Sequence, residues 1–414
     1  MAITLSPTLK LQAEVILPAS KSISNRALLI NALSRNKELP ENLSDSDDTY
    51  VVLRALNTMP DVIDIGAAGT AMRFLTAYLS VTSGEHIITG TERMRHRPIS
   101  ILVDALRQLG ACITYEGEEG FPPLRIVGKD DLEGGNLTVP GNVSSQYISA
   151  LLMIAPTLKN GLRLTLTGQI ASRPYLDMTI TMMRDFGAKV EWSSENVIDV
   201  QPCSYQQKAY HIESDWSAAS YWYEMTALTD DTDAQVDLIG LHCDSIQGDS
   251  KVQEMFKELG VETTHLTKDD GTAFVRLKKT GNTPNRFCYD FTHQPDLAQT
   301  LVVTCTMMGI PFRFTGLQSL KIKETDRIAA LRTELHKLGY DIQEEDDSIL
   351  FWDGELCQAI EVPTIDTYED HRMAMAFAPC SMKLGSLKVN HPEVVSKSYP
   401  AYWEDLKKVG FKIC

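Results

Sequence analysis

The sequence predicts an α/β protein of two domains in which apolar helices lie inside and sheets lie outside. Three observations carry this. The chain has 414 residues, too many for one comfortable core, so two domains are the natural division. A helical pattern closed by glycine recurs along it, each copy followed by a short apolar strand. A second helical pattern, mostly apolar all round, alternates with the first.

The glycine-closed pattern reads ILVDALRQLGACITY, MTITMMRDFGAKVEW, KVQEMFKELGVETTH, ALRTELHKLGYDIQE and YWEDLKKVGFKIC. Each is an amphipathic helix with glycine just past its end, where a left-handed residue closes the last turn. The closing residues Gly110, Gly187, Gly260, Gly339 and Gly410 recur about every 75 residues, well beyond a solenoid period. A further partner, SDDTYVVLRALNTMPDVI, has lost its glycine and is cut short. Alternating charges place these helices at the surface.

The second pattern has six copies: LPASKSISNRALLINALS, IGAAGTAMRFLTAYLS, VPGNVSSQYISALLMIAP, IESDWSAASYWYEMTAL, YDFTHQPDLAQTLVVTC and IDTYEDHRMAMAFAPC. Each follows a strand and a small-residue turn. Helices that are apolar all round are buried on every side, so sheets must cover them, which inverts the usual α/β layering. Six strand–helix–strand–helix units, each with further strand, fill the chain, and no Pro-, Gly- or Ser-rich linker separates them. The starts of the buried helices should converge. They hold nearly all the unusual polar residues: Lys21, Ser22, Arg26, Gly69, Thr70, Ser144, Ser145, Gln146, Asp296, His371 and Arg372. A helix start points free N–H groups and partial positive charge outward, so several together make an anion site.

Composition limits the partners. A net charge of −16 argues against nucleic acid, whose phosphates need a basic face, but leaves room for a small anion held by a local cationic cluster. Hydrophobic content of 43% and charged content of 23% are ordinary for a soluble protein. Cys112, Cys203, Cys243, Cys288, Cys305, Cys357, Cys380 and Cys414 include no CxxC pair and no matched His spacing, so neither a zinc site nor a disulfide framework is expected. The opening MAITLSPTLKLQAEVILP does not read as a leader, and no apolar run approaches membrane-spanning length. A cytoplasmic protein with reduced thiols and no membrane partner is expected.

Several short stretches bear chemistry. KETDR (323–327) stands where a strand-like run gives way to a helix: Thr325 or Asp326 could cap that helix, or Lys323, Glu324 and Arg327 could serve a reaction. SKSISNR puts Lys21, Ser22 and Arg26 in the first turn of a buried helix, where cations oppose the macrodipole, so an anion between them is expected. GAAGTAMR gives a turn slim enough for close ligand approach, then Thr70 as cap and Arg73 on the helix. HRP puts Arg97 before Pro98 at a first helical position. GNVSSQY stacks Ser144, Ser145 and Gln146 at a helix start, and IASRPY adds Ser172, Arg173 and Tyr175 in a loop. HQPD sets Asp296 in the first turn of an apolar helix, which the dipole alone would favour. EDHR precedes MAMAFA, too apolar to be solvated, so Arg372 should line a cavity. SKSYP places Lys397 before the last glycine-closed helix.

In order along the whole chain, SKSISNRALL, GAAGTAMRFL, RMRHRPI, VPGNVSSQYISALL, SRPYLDMT, PDLAQTL, KIKETDRI, DHRMAMAFA and SKSYPAYWEDL resemble the enolpyruvylshikimate-phosphate synthase family. The resemblance implies a two-domain inside-out α/β barrel of six βαβαββ repeats, the first shortened. Its domains would span residues 17–212 and 213–414, the latter completed by strand 1–16. It implies joining of shikimate 3-phosphate to phosphoenolpyruvate, in a monomer with no cofactor and no metal. By the same resemblance Lys21, Ser22, Arg26, Ser144, Ser145, Gln146, Ser172, Tyr175, Asp296, Ser319 and Lys323 would hold shikimate 3-phosphate. Lys21, Gly69, Arg97, Gln146, Glu324, Arg327, His371, Arg372 and Lys397 would hold phosphoenolpyruvate. Asp296 matches the family's proton acceptor, assisted by Lys323, and Glu324 the group that protonates the methylene carbon.

This chain departs from the family's pattern in three places. Ala67 stands where an Asn is common, and Ser319 where some members carry an Asn. Between Asp48 and Gly69 the chain is about 25 residues short, which reads as one helix-plus-strand fragment of a repeat. The related transferase acting on a UDP-sugar typically has a Lys-Asn pair and a loop Cys, whereas here the pair is Lys21-Ser22 and Cys112 sits in a strand.

Overall fold

The structure, a computed structural model, describes residues 2–414. Two compact units form, Met1–Pro18 with Glu213–Cys414, and Ala19–Ile212. We call them the terminal unit and the inserted unit.

Twelve helices of seven residues or more occur among the described residues: α1 (Lys21–Leu33), α2 (Asp47–Thr58), α3 (Gly69–Ser80), α4 (Ser100–Gln108), α5 (Ser145–Ile154), α6 (Arg173–Asp185), α7 (Trp216–Leu228), α8 (Val252–Glu258), α9 (Ala298–Met308), α10 (Arg327–Lys337), α11 (His371–Phe377) and α12 (Tyr402–Lys408). The odd-numbered six are the apolar set, and all are buried for most of their length; α7 leaves only Ser217 part-exposed. The even-numbered six bury one face, as α4 does with Leu102, Val103, Ala105 and Leu106. Their closing glycines all take positive φ, Gly110 at 102° for example, as a left-handed helix end requires. At the end of α2, where the glycine is lost, Met59 adopts that conformation instead at φ 39°.

Five four-stranded sheets cover these helices, and all five share one plan. The inserted unit has Val62–Asp64, Gly84–Thr89, Leu124–Gly128 and Cys112–Tyr115 in one sheet, and Gly135–Pro140, Leu162–Thr167, Val197–Val200 and Val190–Ser194 in another. Each begins with a parallel pair and continues with two antiparallel pairs. An odd helix connects the parallel pair and an even helix follows, giving βαβαββ. In the terminal unit, Phe287–Asp290, Phe312–Thr315, Ile349–Trp352 and Gln343–Glu345 repeat this order. Its other two sheets each borrow an N-terminal strand: Gln12–Ile16 pairs parallel with Gln235–Ile239, and Ala2–Ser6 lies between Leu387–Asn390 and Lys412–Ile413.

The first repeat is the exception, and the expected loss of a helix plus a strand needs correcting. Both of its helices, α1 and α2, are present. What is missing among the described residues is a sheet of their own. Its parallel pair survives as one bridge, Glu41 to His211, with Glu41 N–H donating to Tyr210 O at 2.8 Å and Ile212 N–H to Glu41 O at 3.1 Å. The reason is packing. Helix α2 buries Val52 and Ala55 among α1 and α3, so its loss would open the core, whereas an outer hairpin can be shed. No helix among the described residues is long and apolar enough to cross a membrane.

Candidate active site

In the inserted unit the starts of α1, α3 and α5 are tied together by side chains. Ser20 caps α1, its Oγ accepting from Ile23 N–H, and Lys21 follows with its Nζ 3.5 Å from Asp48 Oδ2 on α2. Arg26, one turn on, is only 2% exposed. It donates from Nε to Thr179 Oγ1 at 2.7 Å, from Nη1 to Ser22 O at 2.9 Å and from Nη2 to Ser149 Oγ at 3.1 Å. Its guanidinium also lies 5.3 Å from the Phe74 ring centre. Burial lowers its pKa to about 10. These acceptors are all neutral, an arrangement that leaves the cation's charge for something else.

Gly69 opens α3 against two arginines. A Cβ there would meet Arg97 Nη1 at 2.7 Å and Arg73 Nη1 at 2.8 Å. Arg73 is buried, donates to Gly69 O at 2.8 Å, and lies 5.6 Å from the centre of the Tyr147 ring. Two guanidinium groups packed over one backbone repel each other until an anion joins them. Gln146 Nε2 donates to Thr70 Oγ1 at 3.0 Å, linking α5 to α3, while Ser144 caps α5.

Some local placements differ from those the sequence suggested. Thr70 is not the cap of α3: Ala68 holds that position without a side-chain bond, and the Thr70 hydroxyl serves Gln146 instead. Pro98 precedes the cap residue Ile99 rather than starting α4. Ser172 is the left-handed residue before α6, at φ 54°, so Arg173 and Tyr175 lie in a helix and not in a loop. A non-glycine residue held in that conformation stores strain of the kind found at ligand sites.

In the terminal unit the starts of α9, α10 and α11 meet around Arg327, which is 1% exposed. The run before KETDR is a 3₁₀ turn, Gln318–Ile322, not a strand. Asp326 does cap α10, accepting from Ala329 N–H at 3.0 Å, so the bland reading holds for that one residue. The rest of KETDR points elsewhere. Arg327 donates to Asp370 through Nε at 2.7 Å and Nη2 at 3.3 Å, to Glu324 Oε2 at 2.9 Å and to Asp296 Oδ1 at 3.2 Å. Burial opposes its charge, but Asp370, Glu324 and Asp296 together hold its pKa above the ordinary arginine value.

Asp296 gathers three cations. Arg372 Nη2 is 3.0 Å from its Oδ2, and Lys323 Nζ is 3.6 Å from its Oδ1, beside the Arg327 contact. It sits on the Pro295–Leu297 turn that leads into α9. Asp370 also caps α11, accepting from Arg372 N–H at 2.9 Å, with His371 Nδ1 3.7 Å from its Oδ1. Lys397 Nζ donates to Glu369 O at 2.9 Å, which brings the SKSYP stretch to the same helix start. Ser319 is half-buried on the 3₁₀ turn before Lys323.

Sequence reasoning passed over Asp370, Asp48 and Arg73 as site residues. Asp370 stands in EDHR directly before His371, but an acid before an apolar helix reads as a cap, which it also is. Asp48 in the SDD triplet and Arg73 one turn after Gly69 were visible in the same way.

The wider comparisons agree with one another. The family model EPSP synthase (3-phosphoshikimate 1-carboxyvinyltransferase) matches residues 5–62 and 54–406. A relative from Bacteroides fragilis, named 3-phosphoshikimate 1-carboxyvinyltransferase, is 57% identical over 413 residues, covering 100% of this chain and 99% of that protein. Another of that name from Sulfurovum sp. is 34% identical, covering 99% of each. A solved EPSP synthase from Acinetobacter baumannii shares the fold, with a TM-score of 0.76 at 21% identity over 100% of this chain and 99% of the other. Sequence likeness of this extent, end to end, makes the chain a member of the EPSP synthase (3-phosphoshikimate 1-carboxyvinyltransferase) family.

Proposed function

We propose that this protein transfers the enolpyruvyl group of phosphoenolpyruvate to the 5-hydroxyl of shikimate 3-phosphate, releasing phosphate on the route to chorismate and the aromatic amino acids. The observation that supports the chemistry best is Arg327, which holds Asp296 and Glu324 on one buried guanidinium. An acid and a base a few ångströms apart are what addition across an enol phosphate double bond needs.

Glu324 gives a proton to the methylene carbon, leaving an oxocarbenium-like centre. Asp296 takes the proton of the 5-hydroxyl as its oxygen attacks that centre, and a tetrahedral intermediate forms. The C–O bond to phosphate then breaks while Glu324 recovers a proton from the new methyl group, restoring the double bond. The 5-hydroxyl proton leaves with phosphate. Lys21, Arg97, Arg327, Arg372 and Lys397 neutralise the charge of phosphoenolpyruvate, and Gly69, Gln146, Glu324 and His371 complete its binding set. Lys21, Ser22, Arg26, Ser144, Ser145, Gln146, Ser172, Tyr175, Asp296, Ser319 and Lys323 hold shikimate 3-phosphate. The enzyme works in the cytoplasm as a monomer.

Phosphate release tests this directly. It is expected when both substrates are supplied and not when either is omitted. Release with a UDP-sugar acceptor in place of shikimate 3-phosphate, or none with any acceptor, would overturn the assignment.

A further inference from the structure

The turn that leads into α11 has an unfavourable shape, and the group that holds it belongs to no motif. Asp370 N–H donates to Thr367 O at 2.8 Å, closing a turn whose two central residues, Tyr368 and Glu369, both take positive φ, 53° and 55°. Glycine, Asn and Asp usually fill such positions. A tyrosine followed by a glutamate there is strained at both residues, and it persists only where its surroundings fix it.

The fixture is Glu334, fully buried on α10 about two turns beyond Arg327. Its Oε1 accepts from the Tyr368 hydroxyl at 2.6 Å and its Oε2 from Asp366 N–H at 3.1 Å, so one carboxylate grips the chain on both sides of Thr367. Lys337 Nζ steadies that carboxylate at 2.8 Å, and it also donates to Asp366 Oδ2 at 2.8 Å and Thr364 O at 3.1 Å. Asn390 Nδ2 donates to Asp366 Oδ1 at 2.7 Å.

What this turn presents gives the grip a consequence. Glu369 O accepts from Lys397 Nζ at 2.9 Å, while Asp370 accepts from Arg327 Nε at 2.7 Å and from Arg372 N–H at 2.9 Å. Helix α10 thus meets the segment twice, through Arg327 at its first residue and through Glu334 further on, and the second contact fixes the angle of the first. Without the grip, Tyr368 and Glu369 would relax toward negative φ. The Glu369 carbonyl and the start of α11 would then shift, taking Lys397 and Arg372 with them. Arg327 would keep Glu324 and Asp296, because those contacts do not pass through the turn.

We propose that Glu334 is a positioning residue that, through the Tyr368 hydroxyl, sets Lys397 and Arg372 for phosphoenolpyruvate. This rests on the transferase reading above. Loss of the grip therefore acts on KM for phosphoenolpyruvate more than on kcat, a split that a merely structural residue does not produce.

The test compares wild type, Tyr368→Phe, Glu334→Ala and Glu334→Gln by phosphate release from shikimate 3-phosphate and phosphoenolpyruvate, well below the melting temperature of each. Tyr368→Phe deletes one hydroxyl and leaves Glu334 bonded to Lys337 and Asp366 N–H. Its KM for phosphoenolpyruvate should rise about tenfold with kcat within about threefold of wild type, the scale of a small displacement of binding groups. Glu334→Ala should raise KM at least as much. Glu334→Gln should recover most of the wild-type KM, because a phenol can accept from an amide as well as donate to a carboxylate. Tyr368→Phe carries the test alone should the Ala variant not fold. An unchanged KM in Tyr368→Phe overturns the proposal, whatever the melting temperature does. A Gln variant as impaired as the Ala variant also overturns it, since charge and not the grip would then matter, as does a fall in kcat with KM unmoved. If wild type itself releases no phosphate, the transferase reading fails and takes this one with it. Active wild type with an unmoved KM in Tyr368→Phe sinks this inference alone.

Discussion

The buried arginines of the two units are compensated in opposite ways. In the inserted unit Arg26 and Arg73 donate to hydroxyl and carbonyl oxygens, and both are buried. In the terminal unit Arg327 and Arg372 lie on carboxylates, with Asp296, Glu324 and Asp370 within 3.3 Å of their nitrogens. A buried cation among neutral acceptors is unfavourable until an anion arrives, so the first cluster suits binding. A cation shared among acids sets where protons reside, so the second suits proton transfer. The same residue type is thus given two tasks by its neighbours.

The largest expected effect breaks the second cluster. Asp296→Asn or Glu324→Gln should lower turnover by about 10³-fold, the scale of a lost general acid or base, with the melting temperature little changed. Steady-state phosphate release and a thermal melt decide it. Near-normal turnover in either variant removes that residue from its proton-transfer role, and the contrast between the clusters with it.

Next comes the first cluster. Arg26→Met should weaken shikimate 3-phosphate binding by about 100-fold, the worth of a strong charged contact. Its stability should hold or rise by about 1 kcal/mol, because an unpaired buried charge is replaced by an apolar chain. Ser149 and Thr179 stay satisfied, since their hydroxyls already share a 3.0 Å bond. Calorimetric titration and a denaturant melt separate the two outcomes. A protein that is destabilised but binds normally would make Arg26 a structural cation and erase the difference between the units.

Gly69→Ala is a smaller intrusion at the same cluster. The new Cβ would press on guanidinium groups 2.7 and 2.8 Å away, and these must move off the anion they serve. KM for phosphoenolpyruvate should rise about tenfold, the usual worth of one misplaced methyl in a fitted pocket, with kcat less affected. An unchanged KM would mean that Arg73 and Arg97 are free to yield, and that Gly69 is not required for close approach.

Much of this was legible in the sequence because the repeat is written in it. Glycine after each surface helix and apolar runs in each buried one fix the element order without reference to tertiary contacts. What escaped was whatever depends on a second partner. Asp370 looks like a cap because it is one; only the fold reveals that its other oxygen faces Arg327. Asp249 lies on the short turn Gly248–Lys251 with no periodicity, yet it is buried, with Ser217 at the start of α7 donating to its Oδ2. IASRPY reads as a loop because Pro174 breaks the pattern, whereas that proline sits in the first turn of α6, just after the left-handed Ser172. The missing sheet was visible as missing length, but sequence cannot say whether a shortened repeat sheds helix or strand, since that depends on which face is buried.

The smallest effect concerns that shortened repeat and sharpens the comparison by asking whether the inserted unit's strain belongs to its site. Met59 ends α2 at φ 39° and ψ 57°, the left-handed conformation that glycine supplies in the other even-numbered helices. A side chain there costs about 1–2 kcal/mol. Met59→Gly relieves it but adds about 0.5–1 kcal/mol of unfolded-state entropy, so the net gain should be roughly 0.5 kcal/mol. A rise of one or two degrees in melting temperature is then expected, about what such a gain produces. The kinetic constants should not move, because Met59 closes the far end of α2, three turns from the Asp48 that pairs with Lys21. A fall in melting temperature would mean that the half-buried Met59 side chain packs well enough to outweigh its backbone. A change in KM would mean that strain at the end of α2 is transmitted to its start, and that the trimmed repeat is part of the anion site rather than a neighbour to it.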